Sequence, residues 1–285
     1  MRTPDHRVPA GPAGPAGAVT DDVVGRLRAA GCVFAEEEAE LLLEAARAEP
    51  AVLEGLLARR VAGEPLEHVL GWVELAGRRW SVGPGVFVPR RRSELLVTAG
   101  LDALRFRAGA ARVVVDLCCG CGAVGGAVAA ALRAAGTRVE LHGADIDPAA
   151  AEHARRNLLP LGGVVHVGDL FDALPRALAG RVEVLLCHAP YVPTHALATM
   201  PADARDHEPR VALDGGGDGL DVVRRVAAQA PAWLAPGGAL LVETAGSQAR
   251  AAVEVMAGAG LVASVVLDDD EDAPAGPVVV GTRPV

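Results

Sequence analysis

The sequence predicts a doubly wound α/β fold, with a mostly parallel seven-stranded sheet, preceded by a small helical bundle. Three observations support this prediction. From Arg112 onward, short runs of aliphatic residues alternate with helical patterns, which is typical of a parallel sheet with helices on both faces. A glycine-rich turn follows the first of these runs. Before Gly71, apolar residues recur at helical spacing, which indicates a separate bundle.

The composition excludes several classes of protein. Hydrophobic residues make up 51% and charged residues 22% of the 285 residues, which excludes a chain that is disordered throughout. The net charge of −9 argues against direct nucleic-acid binding, and no apolar run reaches the roughly 18 residues that cross a bilayer. The five cysteines, an odd number, form no disulfide framework. We therefore expect a cytoplasmic monomer that binds no membrane.

The first part of the chain is expected to hold a tail, a helical domain and a hairpin. Residues 1–19 are rich in proline, alanine and glycine, which predicts a disordered tail. Residues 20–70 are expected to form the helical domain, whose first helix Thr20 would cap. Its three helices are expected over Asp21–Ala30, over Ala35–Ala48 and from Pro50 onward. In residues 71–92, β-type residues interrupted by glycine and proline predict a β-hairpin linker.

Residues 93–285 are expected to form the α/β domain, and Ser93 is expected to cap a helix that runs through Leu104. The strands are expected at Val113–Leu117, Val139–Ala144, Val164–Val167, Val182–Cys187, Ala239–Glu243, Leu261–Leu267 and Val278–Gly281. Further helices are expected near Ala123–Ala135, Pro148–Leu159, Gly219–Leu234 and Ser247–Ala259. Only the acidic stretch Asp268–Asp272 separates the last two strands, and without a helical crossover they should be antiparallel.

The first strand of this domain ends in a glycine-rich loop. Gly120, Gly122 and Gly125 satisfy the pattern G-x-G-x-x-G, and Asp145 closes the next strand. Glycines at this position let the backbone approach a ligand at a helix N-terminus, and the acid can accept hydrogen bonds from ribose hydroxyls. The pattern alone fits a nicotinamide or flavin enzyme as well as a methyltransferase.

Asp116 separates these alternatives. It ends the strand, and Leu-Cys-Cys stands before the first glycine, whereas in a dinucleotide site the strand runs straight into that glycine. A carboxylate here suits a ligand that carries an α-amino group and a sulfonium, and it suits a pyrophosphate badly. We therefore predict S-adenosylmethionine as the cofactor, with a nicotinamide-dependent oxidoreductase as the alternative. The residues expected to bind it in this region are Asp116, Cys118, Cys119, Gly120, Cys121, Gly122 and Asp145.

The three crowded cysteines and a later strand end belong to the same predicted site. The spacing C-C-x-C is not a usual zinc pattern, so we interpret these thiols as small residues beside the ligand and expect no metal. In the segment Gly168–Phe171, Asp169 can accept a hydrogen bond from the adenine amine while Leu170 packs on the ring. The alternative is that Asp169 caps a helix.

The loop after the fourth strand is predicted to hold the methyl acceptor. It reads Cys187-His188-Ala189-Pro190-Tyr191, and ligands of a doubly wound sheet bind beyond the carboxyl ends of the strands. A polar side chain and a backbone carbonyl can orient a planar NH₂ group, on which the tyrosine ring packs. We predict His188, Pro190 and Tyr191 as catalytic residues, with Ala189 also in contact with the acceptor and His188 with the cofactor. The alternative is an ordinary loop histidine.

Several motifs, in order, resemble the release-factor glutamine N5-methyltransferase family over nearly the whole ordered chain. Val88–Glu94 resembles that family's I-P-R-P-x-T-E, and Asp116–Gly122 resembles D-L-G-T-G-T-G with cysteine substitutions. Gly63-Glu64-Pro65 resembles its G-E-P, and Glu208-Pro209 with Gly215–Asp221 resembles E-P-x-x-A-L-x-G-G-x-D-G-L. The resemblance implies the class I S-adenosylmethionine-dependent methyltransferase fold. It also implies methyl transfer to the side-chain N5 of a glutamine in a protein, such as a peptide chain release factor, which the helical domain would dock.

One motif departs from that family. Its signature is N-P-P-Y, whereas this chain has His188-Ala189-Pro190-Tyr191. Asparagine offers both a donor and an acceptor, and neutral histidine accepts through one ring nitrogen in a different geometry. The sequence is similar to relatives with a D-L-C-C-G loop. An amine of a small metabolite or a nucleobase is therefore an alternative acceptor, and a protein that binds without catalysis is a further alternative.

Overall fold

The computed structural model describes residues 15–47, 49–105, 111–268 and 276–285. The chain divides into two compact units, with the boundary between Leu70 and Gly71. The expected disordered tail lies outside the described residues up to residue 14. Its last five residues are helical, because the first helix begins at Pro15 and not after Thr20. Proline is favoured in a first helical turn, since that turn needs no hydrogen bond from its nitrogen.

The first unit is a bundle of helices. They are α1 (Pro15–Ala29), α2 (Ala35–Ala46), α3 (Pro50–Val61) and the short α4 (Leu66–Leu70), which the periodicity did not predict. Leu27, Leu42 and Leu57, one from each of the three longer helices, share its buried core. Helix α2 ends two residues before the expected Ala48 because Arg47 adopts the left-handed conformation that terminates helices.

A β-hairpin opens the second unit. Its strands are β1 (Trp72–Leu75) and β2 (Arg78–Ser81), which are antiparallel, and both residues of the connecting turn, Ala76 and Gly77, have positive φ. This is the backbone of a two-residue hairpin turn. Trp80 is buried, and a Cβ on Gly126 would overlap its ring. The hairpin is therefore part of the core of the second unit.

The main sheet has seven strands. They are β3 (Ala111–Leu117), β4 (Arg138–Asp145), β5 (Val164–Val167), β6 (Val182–Cys187), β7 (Leu234–Glu243), β8 (Val262–Val266) and β9 (Val278–Thr282). Their order is β5-β4-β3-β6-β7-β9-β8, and only β9 runs antiparallel to its neighbours. This topology confirms the predicted class I methyltransferase fold and the predicted antiparallel ending. Strand β7 begins at Leu234, five residues before the expected Ala239.

Helices cover both faces of the sheet. They are α5 (Glu94–Leu104), α6 (Ala123–Ala134), α7 (Pro148–Leu158), the short α8 (Ala202–His207) and α9 (Arg210–Leu213), α10 (Asp221–Trp233) and α11 (Ala249–Gly258). Successive residues of one strand face opposite sides: Val114 packs with α5, α6 and the hairpin, whereas Val115 packs with α10 and α11. Among the described helices, none combines the length and apolarity that crossing a membrane requires.

Candidate active site

A cavity lies at the carboxyl ends of β3, β4 and β6, and most of the predicted site residues line it. They are Asp116, Cys118, Cys119, Gly120, Cys121, Asp145, Asp169, Leu170, His188, Ala189, Pro190 and Tyr191. Gly122 is the exception. A Cβ on Gly122 would lie 3.0 Å from Leu158, so this glycine serves close packing between α6 and α7. The register of the sheet pairs Leu117 with Cys187, so the loops that follow β3 and β6 leave the sheet side by side.

Asp116 is the most deeply buried acid of the cavity. Its Oδ2 accepts a hydrogen bond from the Gly125 N–H (2.9 Å), at the start of α6. A Cβ at position 125 would lie 2.8 Å from Asp116, so only glycine allows this approach. Burial raises the pKa of Asp116 to about 7, and the nearby Asp145 carboxylate adds to the rise. A cationic group in the cavity would offset this cost and stabilise the ionised form.

Asp145 organises the loop from the other side. Its Oδ2 accepts from the Gly120 N–H (2.8 Å) and its Oδ1 from the Asp147 N–H (2.9 Å). Burial raises the pKa of this carboxyl as well. Gly120 has a φ of 53°, and a Cβ there would meet no atom within 4 Å. The glycine therefore leaves open space beside two carboxylates, which fits a ligand with an ammonium group and ribose hydroxyls.

The cysteines of the loop are free thiols. Cys118 has a φ of 52°, and its thiol interacts with that of Cys187 at the end of β6. The Cys187 thiol and burial raise the pKa of Cys118 well above its ordinary value, and burial does the same for Cys119. Burial also raises the pKa of Cys121 to about 12. These side chains therefore line the cavity as small neutral groups.

Asp169 and Leu170 lie at the wall predicted for adenine. The Asp169 side chain makes no capping hydrogen bond, so the alternative of a helix cap finds no support. Instead its Oδ2 accepts from Nη2 of Arg225 (2.6 Å), a residue of α10 that sequence reasoning did not identify. Leu170 has a φ of 48° and is buried at the cavity.

Two aromatic rings enclose His188. The Phe87 ring meets it edge-on, with centroids 5.2 Å apart, and the Tyr191 ring stacks on it with centroids 5.9 Å apart and an angle of 14° between the planes. The Tyr191 hydroxyl hydrogen-bonds to the Arg92 guanidinium. Burial lowers the pKa of His188, so the imidazole is neutral at neutral pH. Phe87, which lines the cavity, was not among the predicted site residues.

Two buried carboxylates hold the arginines near this ring. Glu208 Oε1 pairs with Arg90 and accepts from the Val88 N–H (3.2 Å), and Glu243 Oε1 accepts from Nε of Arg92 (3.2 Å). The sequence indicated Glu208 only as part of a family motif, and it did not predict Glu243 as a site residue. The available signal for Glu243 was an acid at the end of the apolar strand Ala-Leu-Leu-Val-Glu, where a carboxylate is costly without a partner.

Gln248 and Gly219 contact the backbone of the acceptor loop next to Tyr191. Nε2 of Gln248 donates to the carbonyl oxygens of Tyr191 (2.8 Å) and Asp218 (2.9 Å), and its Oε1 accepts from the Ala245 N–H (3.1 Å). A Cβ on Gly219 would overlap the Tyr191 carbonyl oxygen and Gln248 Nε2. The backbone next to Tyr191 is therefore fixed by groups from distant parts of the sequence.

Comparison with known proteins shows which family the chain belongs to. No family model matches the chain. The chain is 37% identical to a release factor glutamine methyltransferase of Streptomyces coelicolor over 193 residues, which cover 68% of this chain and 67% of the relative. It is 35% identical to the protein of that name from Cereibacter sphaeroides over 269 residues, or 86% of this chain and 91% of the relative.

A third relative has a different name. The 4-amino-L-phenylalanine/4-methylamino-L-phenylalanine methyltransferase of Streptomyces pristinaespiralis is 36% identical over 241 residues, which cover 78% of this chain and 80% of the relative. Among solved structures, a methyltransferase from Pyrococcus furiosus shares the fold, with a TM-score of 0.51, 13% identity and coverage of 81% of this chain and 100% of that one. The extent and identity of the sequence matches confirm the predicted resemblance: the chain belongs to the release factor glutamine methyltransferase family.

Proposed function

We propose that this enzyme transfers a methyl group from S-adenosylmethionine to the side-chain N5 of a glutamine in a protein, namely a peptide chain release factor. The observation that carries the proposal is the pairing of Leu117 with Cys187, which brings the acidic glycine loop and the His188–Tyr191 loop to one cavity. Family membership and relatives named for release factor glutamine methylation support the choice of acceptor.

The cofactor side of the cavity has residues for each part of the donor. Asp116 would hold the α-ammonium group, Asp145 the ribose hydroxyls, and Asp169 with Leu170 the adenine. S-adenosylmethionine supplies an electrophilic methyl group on a positively charged sulfur. The buried carboxylates of Asp116 and Asp145 favour that positive charge.

The acceptor side would position the glutamine amide. An amide nitrogen is a weak nucleophile, so its orientation in line with the methyl group makes a large contribution to the rate. His188 and the backbone at Pro190 would hold the amide, and the rings of Tyr191 and Phe87 would pack on its plane. The helical unit of α1–α4 would dock the protein substrate. We also propose that the enzyme acts as a cytoplasmic monomer without binding nucleic acid.

The test is transfer of a labelled methyl group to purified release factor. We expect label on a glutamine side chain, identified by mass spectrometry of the modified peptide, with the wild type and with His188→Asn, which restores the family's residue. A wild type that binds S-adenosylmethionine in calorimetry but labels no release factor would overturn the proposal. Binding of NADH in place of S-adenosylmethionine would instead indicate an oxidoreductase.

A second candidate is methylation of an aromatic amine in a small amino acid. Two observations favour it: His188 replaces the family's asparagine, and the S. pristinaespiralis relative is named for such substrates. An imidazole can take a proton from an amine, which an asparagine amide cannot do. The same labelling assay with 4-amino-L-phenylalanine separates the two candidates, because the label then appears in the small-molecule fraction and the release factor stays unlabelled.

A further inference from the structure

We infer that His188 accepts the proton released by the acceptor nitrogen, and that Glu243 is a positioning residue that acts through His188. This inference rests on the proposed methyl transfer and adds to it the fate of the proton. It applies to an amide or an amine acceptor, since both lose an N–H proton when they are methylated.

The sheet register places the two side chains together. Strands β6 and β7 are parallel neighbours, and Cys187 pairs with Val242. His188 directly follows β6 and Glu243 is the last residue of β7, so both side chains lie at the same end of the sheet. Nε2 of His188 lies 3.7 Å from Oε1 of Glu243, and the side chains are 10% and 1% exposed.

The carboxylate of Glu243 has unused capacity to accept a hydrogen bond. Its Oε1 accepts from Arg92, while its Oε2 is buried and finds no hydrogen-bond partner among the described residues. A buried carboxylate oxygen without a partner carries a desolvation cost. Nε2 of His188 lies 3.7 Å from the other oxygen of this carboxylate, Oε1, so an N–H on Nε2 would bring a donor to the carboxylate. On this ground we assign the tautomer with the proton on Nε2, which leaves the Nδ1 lone pair for a proton from the acceptor.

The proposed step balances in atoms and charge. The acceptor nitrogen attacks the methyl group, whose bond to sulfur breaks with the electron pair left on sulfur. The nitrogen is then positively charged, and its N–H proton passes to Nδ1 of His188. The resulting imidazolium faces the carboxylate of Glu243, which stabilises it, and the proton later passes to solvent.

The charged groups around His188 fit this task. Glu243 on β7 raises the pKa of His188, whereas burial, the largest influence, and the guanidiniums of Arg92 and Arg90 lower it. Tyr191 stacks on the ring, and burial raises the pKa of its hydroxyl, so it carries no charge there. The imidazole is therefore neutral before the reaction and has one carboxylate beside it when it gains a proton.

The first test needs no activity. Histidine ring signals of the full-length protein are titrated by NMR, and the His188 signal is identified by its loss in His188→Asn. We expect Glu243→Gln to move the His188 titration to lower pH, because a carboxylate that favours the imidazolium has been removed. The matched control is Glu140→Gln, which removes a carboxylate 3.5 Å from Nε2 of another histidine, His142, and should leave the His188 titration unchanged. An unchanged His188 titration in Glu243→Gln would overturn the role of Glu243.

The second test is the pH dependence of kcat for methyl transfer. The wild-type rate should fall as the pH is lowered through the pKa of His188, and this acidic limb should be absent in His188→Asn. Glu243→Gln should lower kcat by about 10-fold to 100-fold with little change in KM. If wild-type transfer occurs and both variants keep its rate and pH profile, proton transfer to His188 is wrong. If the wild type transfers no methyl group, the proposed function fails while the NMR result still stands.

Discussion

The cofactor side and the acceptor side of the cavity differ in what holds their polar groups. On the cofactor side, Asp116 and Asp145 accept hydrogen bonds from the backbone N–H groups of Gly125, Gly120 and Asp147. These partners lie within the strand–loop–helix segments that carry the acids or in the adjacent segment. Such contacts follow once the strands and the glycine turn have formed.

On the acceptor side, side chains from distant parts of the chain make the hydrogen bonds that hold the polar groups. Arg92 reaches Tyr191 and Glu243, and Gln248 reaches the Tyr191 carbonyl. Each of these contacts spans more than fifty residues of sequence. The comparison indicates that the acceptor loop can be altered by substitutions far from it in sequence, while the cofactor loop depends on its own glycines and acids.

Gly219→Ala is expected to have the largest effect on the rate of methyl transfer. The added Cβ would overlap the Tyr191 carbonyl oxygen, and the residue has a φ of 82°, so the acceptor loop must move. A displacement near 1 Å costs about 100-fold in rate, and we expect that loss in kcat with S-adenosylmethionine affinity retained. The measurements are labelled-methyl transfer and calorimetry. The control is Gly217→Ala, whose Cβ would meet nothing within 4 Å. Equal rates for the two variants would contradict this account of the acceptor loop.

Asp116→Asn should weaken cofactor binding and, at the same time, stabilise the folded protein. Loss of the carboxylate should weaken S-adenosylmethionine binding by about 30-fold, because a buried charge pair is lost. Burial raises the pKa of Asp116 to about 7 in the folded state. The folded state therefore binds the proton more tightly than the unfolded state, and wild-type stability falls as pH rises toward 7.

The stability of Asp116→Asn does not fall in this way as pH rises, because an asparagine side chain cannot ionise. Its free energy of unfolding should exceed that of the wild type by about 2–4 kcal/mol at pH 8, and by less at pH 5. Denaturant unfolding at both pH values checks this result. A variant less stable than the wild type at pH 8 would refute the assigned cost of ionising Asp116.

The smallest of the three effects is expected from Gln248→Ala. The substitution leaves the carbonyl oxygens of Tyr191 and Asp218 without their hydrogen-bond donor. We expect kcat to fall about 10-fold and the free energy of unfolding to fall by about 1–3 kcal/mol, because the half-buried Tyr191 carbonyl loses its partner, whereas Asp218 is exposed to water. Cofactor affinity, measured by calorimetry, should stay at the wild-type value. A loss of cofactor affinity equal to the loss in kcat would show that the two sides of the cavity are not held independently.

Much of the fold could be predicted because its signals are local. Strands β5 and β6 begin and end where the aliphatic runs do, at Val164–Val167 and Val182–Cys187. Parallel strands buried on both faces, such as β6, consist of such runs, and the helices between the strands keep their own period. The start of α1 was missed because a segment rich in proline, alanine and glycine resembles a disordered one, although proline also begins helices.

The sequence by itself determined the order of the strands and helices, the glycine turn and the acids at the strand ends, because each depends on residues close together in the chain. Only the tertiary structure decided which groups face His188. The pairing of β6 with β7 brings Glu243 to His188, although the two residues are 55 positions apart in the sequence. No periodicity encodes such a contact, since it depends on how whole strands align and pack.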